Sequence, residues 1–233
     1  VSITDDALAR LRDLILSGEL QPGSQLPPEQ ELASQLGVSR SSMREAVRAL
    51  THARLVEVRR GLGTFVTGLE PALLLEGVRT AAQAARDESV FEIFEVRRIL
   101  EPAAAGLAAS RITEAQLAEL RGDLDAMRQA KRNPAEFIRH DEAFHNRIAH
   151  AAGNSWLEAL LRGLAAPTIQ VRTRRLQAGE QVPGLTITQH ERIYDALVRR
   201  DTALAEATSL LHIATTADGL QALLVSDDQE GLT

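Results

Sequence analysis

The chain has 233 residues, 44% of them apolar, 25% charged and 3% aromatic, with no cysteine and a formal net charge of −6 at pH 7. That length holds two modest hydrophobic cores, and the Ala- and Leu-rich composition is that of a mostly helical soluble chain. Disulfide and thiolate chemistry are excluded, and no apolar run approaches the ~18 residues of a membrane span.

Val1 to Asp6 show no basic-then-apolar leader, so a cytoplasmic protein with no membrane partner is expected. Thr4 can cap a first helix whose apolar positions are Leu8, Leu11, Leu14 and Ile15, and Gly18 stops it. Gln21 to Ser24 is a turn, and Leu26-Pro27-Pro28 leads into a short helix over Glu29 to Leu36. Gly37 then permits a tight turn. Ser39 is a good N-cap for the next helix, in which Met43, Ala46, Val47 and Leu50 form a buried stripe. Its other side carries Arg40, Ser41, Ser42, Arg44 and Arg48, the long cations and small hydroxyls that contact phosphates and base edges. Helix, Gly turn and Ser-capped basic helix is the order of a helix-turn-helix. Helix–Gly–helix alone is equally the grammar of a surface helix pair; the stretch after Leu50 decides between them.

Leu55 to Val58 alternates as a strand, Arg59 to Gly63 is a glycine-rich turn, and Thr64 to Val66 is the return strand. This is a two-stranded wing whose basic tip, Arg60-Gly61, suits a minor groove. The net negative charge does not oppose DNA binding, because nucleic acid responds to the local patch. From Arg40 to Arg60 six arginines face two acids, a local +4.

The run from Leu11 to Val66, including ILSGELQPGSQLPPEQELASQLGVSRSSMREAVRAL and LVEVRRGLGTFV, closely resembles the winged-helix domain of GntR-superfamily transcription regulators, the FadR-type branch fitting best. The resemblance implies that Ser39, Arg40, Ser41, Ser42 and Arg44 lie on DNA, with Arg60 and Gly61 from the wing. Three positions depart from the family pattern: Gln30 stands for a frequent base-reading arginine, Pro28 for the usual serine N-cap, and Ala53-Arg54 for a glycine before the wing.

Gly68 to Pro71 is the expected linker between a winged-helix domain over residues 1–68 and a second domain over 72–225. The second domain reads as an all-α antiparallel bundle, with helices over about 72–86, 89–110, 113–130, 134–152, 154–178, 187–200 and 201–224. Thr113 to Gln116 is a near capping box, and residues 226–233 are expected to form a disordered polar tail.

In the helix from Pro134 to Ala152 the apolar stripe is Phe137, Phe144, Ile148 and Ala152. Asp141 and His145, four residues apart, lie on that same face. His190 shares an inward stripe with Ile187, Ile193 and Leu197, and His212 points inward on the last helix. Any one of these histidines alone would be an ordinary hydrogen-bonded core residue. Together, one carboxylate and three imidazoles on three helices of one bundle suit a divalent transition metal, Zn²⁺ above all, with Ni²⁺, Mn²⁺ or Fe²⁺ compatible. His52, His140 and His150 fall outside this register and read as surface groups.

The spacing Asp141-x3-His145, followed by His190 and His212, resembles the metal motif of the FCD effector domain, as do the stretches Glu95 to Ala109 and His140 to Asn154. Gln189 stands where that family shows Glu, and Arg200-Asp201 where it shows Gly-Asp. Arg97 is a further inward charge, either an i,i+4 ion pair with Glu101 or a clamp for an effector carboxylate; Arg172 and Arg174 are candidates of the same type. The combined expectation is a homodimeric regulator that binds a pseudo-palindromic operator as a repressor. Its effector is a small organic acid bound at the metal. Rival expectations are a purely structural metal and a metal-dependent enzyme.

Overall fold

The structure, a computed structural model, describes residues 3–83, 87–178 and 182–230. The chain divides into two compact units, Val1–Leu74 and Leu75–Thr233, a few residues past the expected linker.

In the first unit α1 (Ile3–Leu16), α2 (Glu29–Gln35) and α3 (Arg40–His52) precede the antiparallel hairpin β1 (Val56–Arg59) and β2 (Gly63–Val66). Leu11, Ile15, Leu32, Met43, Leu50 and Val66 close one core between them. The α2–α3 turn is a Schellman motif: the N–H of Val38 donates to the Ala33 carbonyl and that of Gly37 to the Ser34 carbonyl, with Gly37 at φ 65°. At the N-terminus of α2, Pro28 makes no side-chain cap. The end of α3 repeats the Schellman pattern, Leu55 to Leu50 and Arg54 to Thr51, with Arg54 at φ 59°. Arg54 therefore does occupy a left-handed position where glycine is the unstrained choice. The segment before α2 lies along the wing. Leu26 N–H donates to the Thr64 carbonyl at 2.7 Å, Val66 N–H to the Ser24 carbonyl at 2.9 Å, and Gln25 Nε2 to the Leu62 carbonyl at 2.7 Å.

Short α4 (Pro71–Leu74) closes the first unit, and the second holds α5 (Glu76–Gln83), α6 (Asp87–Arg111), α7 (Glu114–Gln129), α8 (Pro134–Ala151), α9 (Ser155–Ala178), α10 (Val182–Val198) and α11 (Thr202–Glu230). The expected capping box forms at Thr113 and Gln116. Asn133 caps α8 with Pro134 in its first turn. α6 packs along α11, α10 against α11, and α8 against both α7 and α9. Leu120, Leu124, Met127, Phe137, Phe144 and Ile193 fill the centre.

Four boundaries differ from the sequence reading. The expected helix 72–86 is two pieces, α4 and α5, and residues 84–86 lie outside the description. α6 begins at Asp87 and so takes in Asp87-Glu88-Ser89, which the sequence reading places between helices. α10 starts at Val182 rather than 187; Pro183 lies in the first turn, where its missing N–H has no intrahelical partner to lose. α11 runs to Glu230, through positions read as tail, since no glycine or proline interrupts 220–230. Residues 231–233 lie outside the description. No helix among the described residues is long and apolar enough to cross a membrane.

Candidate functional site

Two places collect the residues singled out by sequence. The first is the outer side of α3 with the wing. Ser39 Oγ accepts the Ser42 N–H at 3.0 Å and lies 2.8 Å from Ser41 Oγ and 2.9 Å from Ser42 Oγ. Ser42 is buried, so it belongs to the cap rather than to the outward face expected of it. Arg40, Ser41, Arg44 and Arg48 are exposed. Arg44 reaches Glu29 at 3.3 Å and Arg48 reaches Glu45 at 2.8 Å; such surface pairs contribute little and exchange readily for phosphates. Among the described residues Arg40 and Arg60 hold no ion pair. At the wing tip Leu62 N–H closes onto the Arg59 carbonyl with Gly61 at φ 77°. Arg59 folds back onto Glu57 and over the Phe65 ring at 4.4 Å, which leaves Arg60 as the outward cation.

The second place is the centre of the helical unit. His145 (α8), His190 (α10) and His212 (α11) each bring one ring nitrogen to within 4.8 Å of the others. His190 Nε2 and His212 Nε2 are 3.2 Å apart, and Asp141 Oδ1 lies 3.5 Å from His190 Nε2. Two imidazoles on one ion at ~2.1 Å stand roughly 3.0–3.4 Å apart, so this pair is already at ligand spacing. His145 Nε2 is buried without a hydrogen-bond partner among the described residues. Burial, reinforced by nearby His145 and Arg172, pushes His190 down to about 3, against the pull of Asp141. Burial also pushes His212 well below the usual range, with His190, His145 and the arginines adding to it. Both are therefore neutral at pH 7, the form that ligates a metal. Burial raises Asp141, but Arg172, the histidines and Arg97 together hold its carboxyl below the ordinary value, so it is ionised. The three converging imidazole nitrogens fit a divalent cation, with the Asp141 Oδ1 oxygen beside His190.

Asp141 is less free than its register implied, because its Oδ2 is paired with Arg172 Nη1. Arg172 is buried, which lowers its pKa, and its Nε and Nη2 have no hydrogen-bond partner among the described residues. Small cavities of about 20 Å³ each lie on either side of it, one lined by Asp141 and His212, the other by Arg97, Glu101 and His145. Arg97, buried, takes the ion-pair option: its Nε donates to Glu101 Oε1 at 2.6 Å and its Nη1 to Thr168 Oγ1 at 2.8 Å. The Arg174 side chain lies outside the described residues. His150 and His52 are exposed, and His140 sits half-buried 3.7 Å from Asp123, away from the cluster.

Sequence reasoning passed over two partners. Glu101 Oε2 lies 3.2 Å from His145 Nδ1, and Gln189 Oε1 lies 3.1 Å from His212 Nδ1. Gln189 was visible as the residue before a ligand, and Glu101 as the residue four after Arg97. Among the described residues His190 has no such acceptor for Nδ1, and its ring is stacked on Phe144, ring centroids 4.5 Å apart.

Both parts of the chain match known families. Residues 3–66 match the family described as bacterial regulatory proteins, gntR family, and residues 92–215 match the FCD domain. The HTH-type transcriptional regulator LutR of Bacillus subtilis is 33% identical over 211 residues, covering 89% of this chain and 96% of that protein. The galactonate operon transcriptional repressor of Escherichia coli is 28% identical over 221 residues, covering 94% and 96%. The solved structure of Streptococcus agalactiae GntR aligns with a TM-score of 0.66 at 28% identity, covering 92% of this chain and 99% of that one. These families and relatives are transcription regulators rather than enzymes. With both domains in that order along nearly the whole chain, the protein belongs to the GntR family of bacterial DNA-binding transcription regulators, its helix-turn-helix domain followed by an FCD domain.

Proposed function

We propose that the protein is a cytoplasmic, homodimeric repressor whose operator affinity is controlled by a small carboxylate bound at a divalent metal in the FCD domain. Asp141, His145, His190 and His212 hold the metal. The cation, Zn²⁺ by preference, supplies Lewis-acid positions that an acid's oxygens can occupy. The observation that carries the effector class is Arg172. Its Nη1 is engaged by Asp141, while Nε and Nη2, the edge of the guanidinium that meets a carboxylate with two parallel bonds, are buried and unpartnered among the described residues. Leaving two charged donors unsatisfied inside a core is costly, and an anion offsets that cost. Arg172 thus takes the effector role first shared among three arginines. The galactonate repressor, named for a sugar-acid operon, supports a hydroxylated acid as the effector. Two copies of the winged helix read the two halves of a pseudo-palindrome, Arg40, Ser41, Arg44 and Arg48 from the major-groove side and Arg60-Gly61 from the wing.

The test is calorimetric titration of hydroxy acids, dicarboxylates and sugar acids into Zn²⁺-loaded protein, metal-stripped protein and Arg172→Lys, with and without operator. Lysine keeps the charge and loses the two-point edge. We expect one acid class to bind the loaded protein at least tenfold more tightly than either comparison, and to shift operator affinity by the same factor that operator shifts its own. Acid binding that is indifferent to metal, or that leaves DNA affinity unchanged, overturns the proposal. In a second reading the metal is purely structural, which the small cavities favour, each of about 20 Å³ and room for water alone. Under it, metal removal lowers the melting temperature and no acid in the panel changes operator binding.

A further inference from the structure

Behind His145 a line of buried side chains runs across three helices. Thr168 Oγ1 on α9 donates its one proton to the Ala165 carbonyl at 2.7 Å. It can therefore only accept from Arg97 Nη1, 2.8 Å away. Arg97 on α6 can only donate, and it gives Nε–H to Glu101 Oε1 at 2.6 Å. Glu101 keeps its other oxygen, Oε2, 3.2 Å from His145 Nδ1 on α8. The Glu101 carboxylate is ion-paired with Arg97 and offers only acceptors. Thr168, Arg97 and Glu101 are all buried, and proton direction is settled from Thr168 through Arg97 to Glu101 Oε1. Glu101 Oε2 is buried and makes no hydrogen bond among the described residues; at 3.2 Å it is the acceptor facing His145 Nδ1, and an N–H there leaves the likewise unpartnered Nε2 with a lone pair.

We infer that Glu101 is the positioning residue for the His145 metal ligand, and that Arg97 together with Thr168 serves to hold Glu101 and does not bind the effector. A histidine that ligates through one nitrogen is made more basic and fixed in orientation when the other donates to a carboxylate. The same device with a neutral acceptor stands at His212, where Gln189 Oε1 receives Nδ1–H. The inference rests on the divalent metal proposed above, and it assigns to this chain's own residues the tuning of that site.

The experiment is titration of Co²⁺, followed by its visible absorption bands, and of Zn²⁺ by calorimetry. The proteins are wild type, Glu101→Gln, Arg97→Lys, the double variant and His145→Ala, each metal-free protein being checked for its fold by circular dichroism. We expect Glu101→Gln and Arg97→Lys each to weaken metal binding by about 10–100-fold and to shift the Co²⁺ bands. The double variant should be little worse than Glu101→Gln, because the two residues act through one line. Wild-type affinity and spectrum in a folded Glu101→Gln protein overturn the inference while leaving the metal reading intact. Should Glu101→Gln fail to fold, Arg97→Lys decides: unchanged metal affinity with weakened acid binding makes Arg97 an effector clamp and overturns the assignment. A wild type that binds no Co²⁺, or binds it equally after His145→Ala, removes both the metal and the inference.

Discussion

Arg97 and Arg172 are candidates of one type in sequence, Glu101 four residues after Arg97 being the visible difference, yet their surroundings are opposite. Arg97 is engaged by Glu101 and Thr168, whereas Nε and Nη2 of Arg172 have no hydrogen-bond partner among the described residues. Helix register reveals which way a side chain points, and that was enough to bring His145, His190 and His212 together from positions far apart in the chain. It does not reveal what waits across the bundle: Arg97 meets Thr168 at a separation of 71 residues and Arg172 meets Asp141 at 31, contacts that only packing creates. Ser42 escapes its register in a similar way, since a residue two positions from an exposed arginine turns under the cap of its own helix. At this scale His145→Ala, His190→Ala and His212→Ala should each lose bound Zn²⁺ on elemental analysis while His150→Ala, exposed and paired with Glu158, keeps it. Four variants of equal metal content would reject the site. Gln189→Glu should tighten Zn²⁺ by about tenfold in competition with a chelator, since a carboxylate is the stronger acceptor for His212 Nδ1; an unchanged Kd would show that the acceptor's charge is not felt at the ligand.

The ends of elements explain both positions where an arginine replaces an expected glycine. α3 and α10 each finish in a Schellman motif whose left-handed residue is an arginine, Arg54 at φ 59° and Arg200 at φ 54°. The left-handed conformation costs a non-glycine residue ~1–2 kcal/mol, and glycine gives back ~0.5–1 kcal/mol in chain entropy. Arg54→Gly should therefore stabilise the protein by about 0.5–1 kcal/mol in denaturant unfolding. Arg200 differs because its Nη1 donates to the Ile112 carbonyl at 2.7 Å, satisfying an open end of α6. Arg200→Gly loses that bond, worth ~1 kcal/mol at a half-exposed site, and should be neutral or destabilising. Equal gains from the two changes would show that the α6 contact contributes nothing. Strong caps such as Thr113 and Asn133 were legible to within a residue. The start of α10 was not, because Pro183 and Gly184 break a helix in its interior but are tolerated in its first turn. On α3, Arg40→Ala and Arg44→Ala should each cost about 1–3 kcal/mol of operator binding in gel shift with the fold unchanged; unaltered affinity in both would move the DNA face elsewhere.

Across the whole molecule the charge is uneven: −6 in total against a local +4 from Arg40 to Arg60. Most of the surface repels a polyanion, so DNA meets the protein through one small face and binding should weaken steeply with salt. A metal held only by the folded FCD domain adds stability by mass action, about 2.7 kcal/mol at a hundredfold excess over Kd, so a chelator should lower the melting temperature in proportion to free metal. The segment Gly23 to Leu26, sewn along the wing by three backbone bonds and by Gln25 onto Leu62, carries a consequence for which operators can be read. With β2 held between β1 and this segment the wing resists swinging, so the distance from its tip to α3 is set by the protein more than by the DNA it meets. The reading head is a gauge of fixed span, and the duplex must adjust its groove width and bend to fit. Base steps lying between the two points of contact, touched by no side chain, then weigh in the choice of site through their stiffness alone.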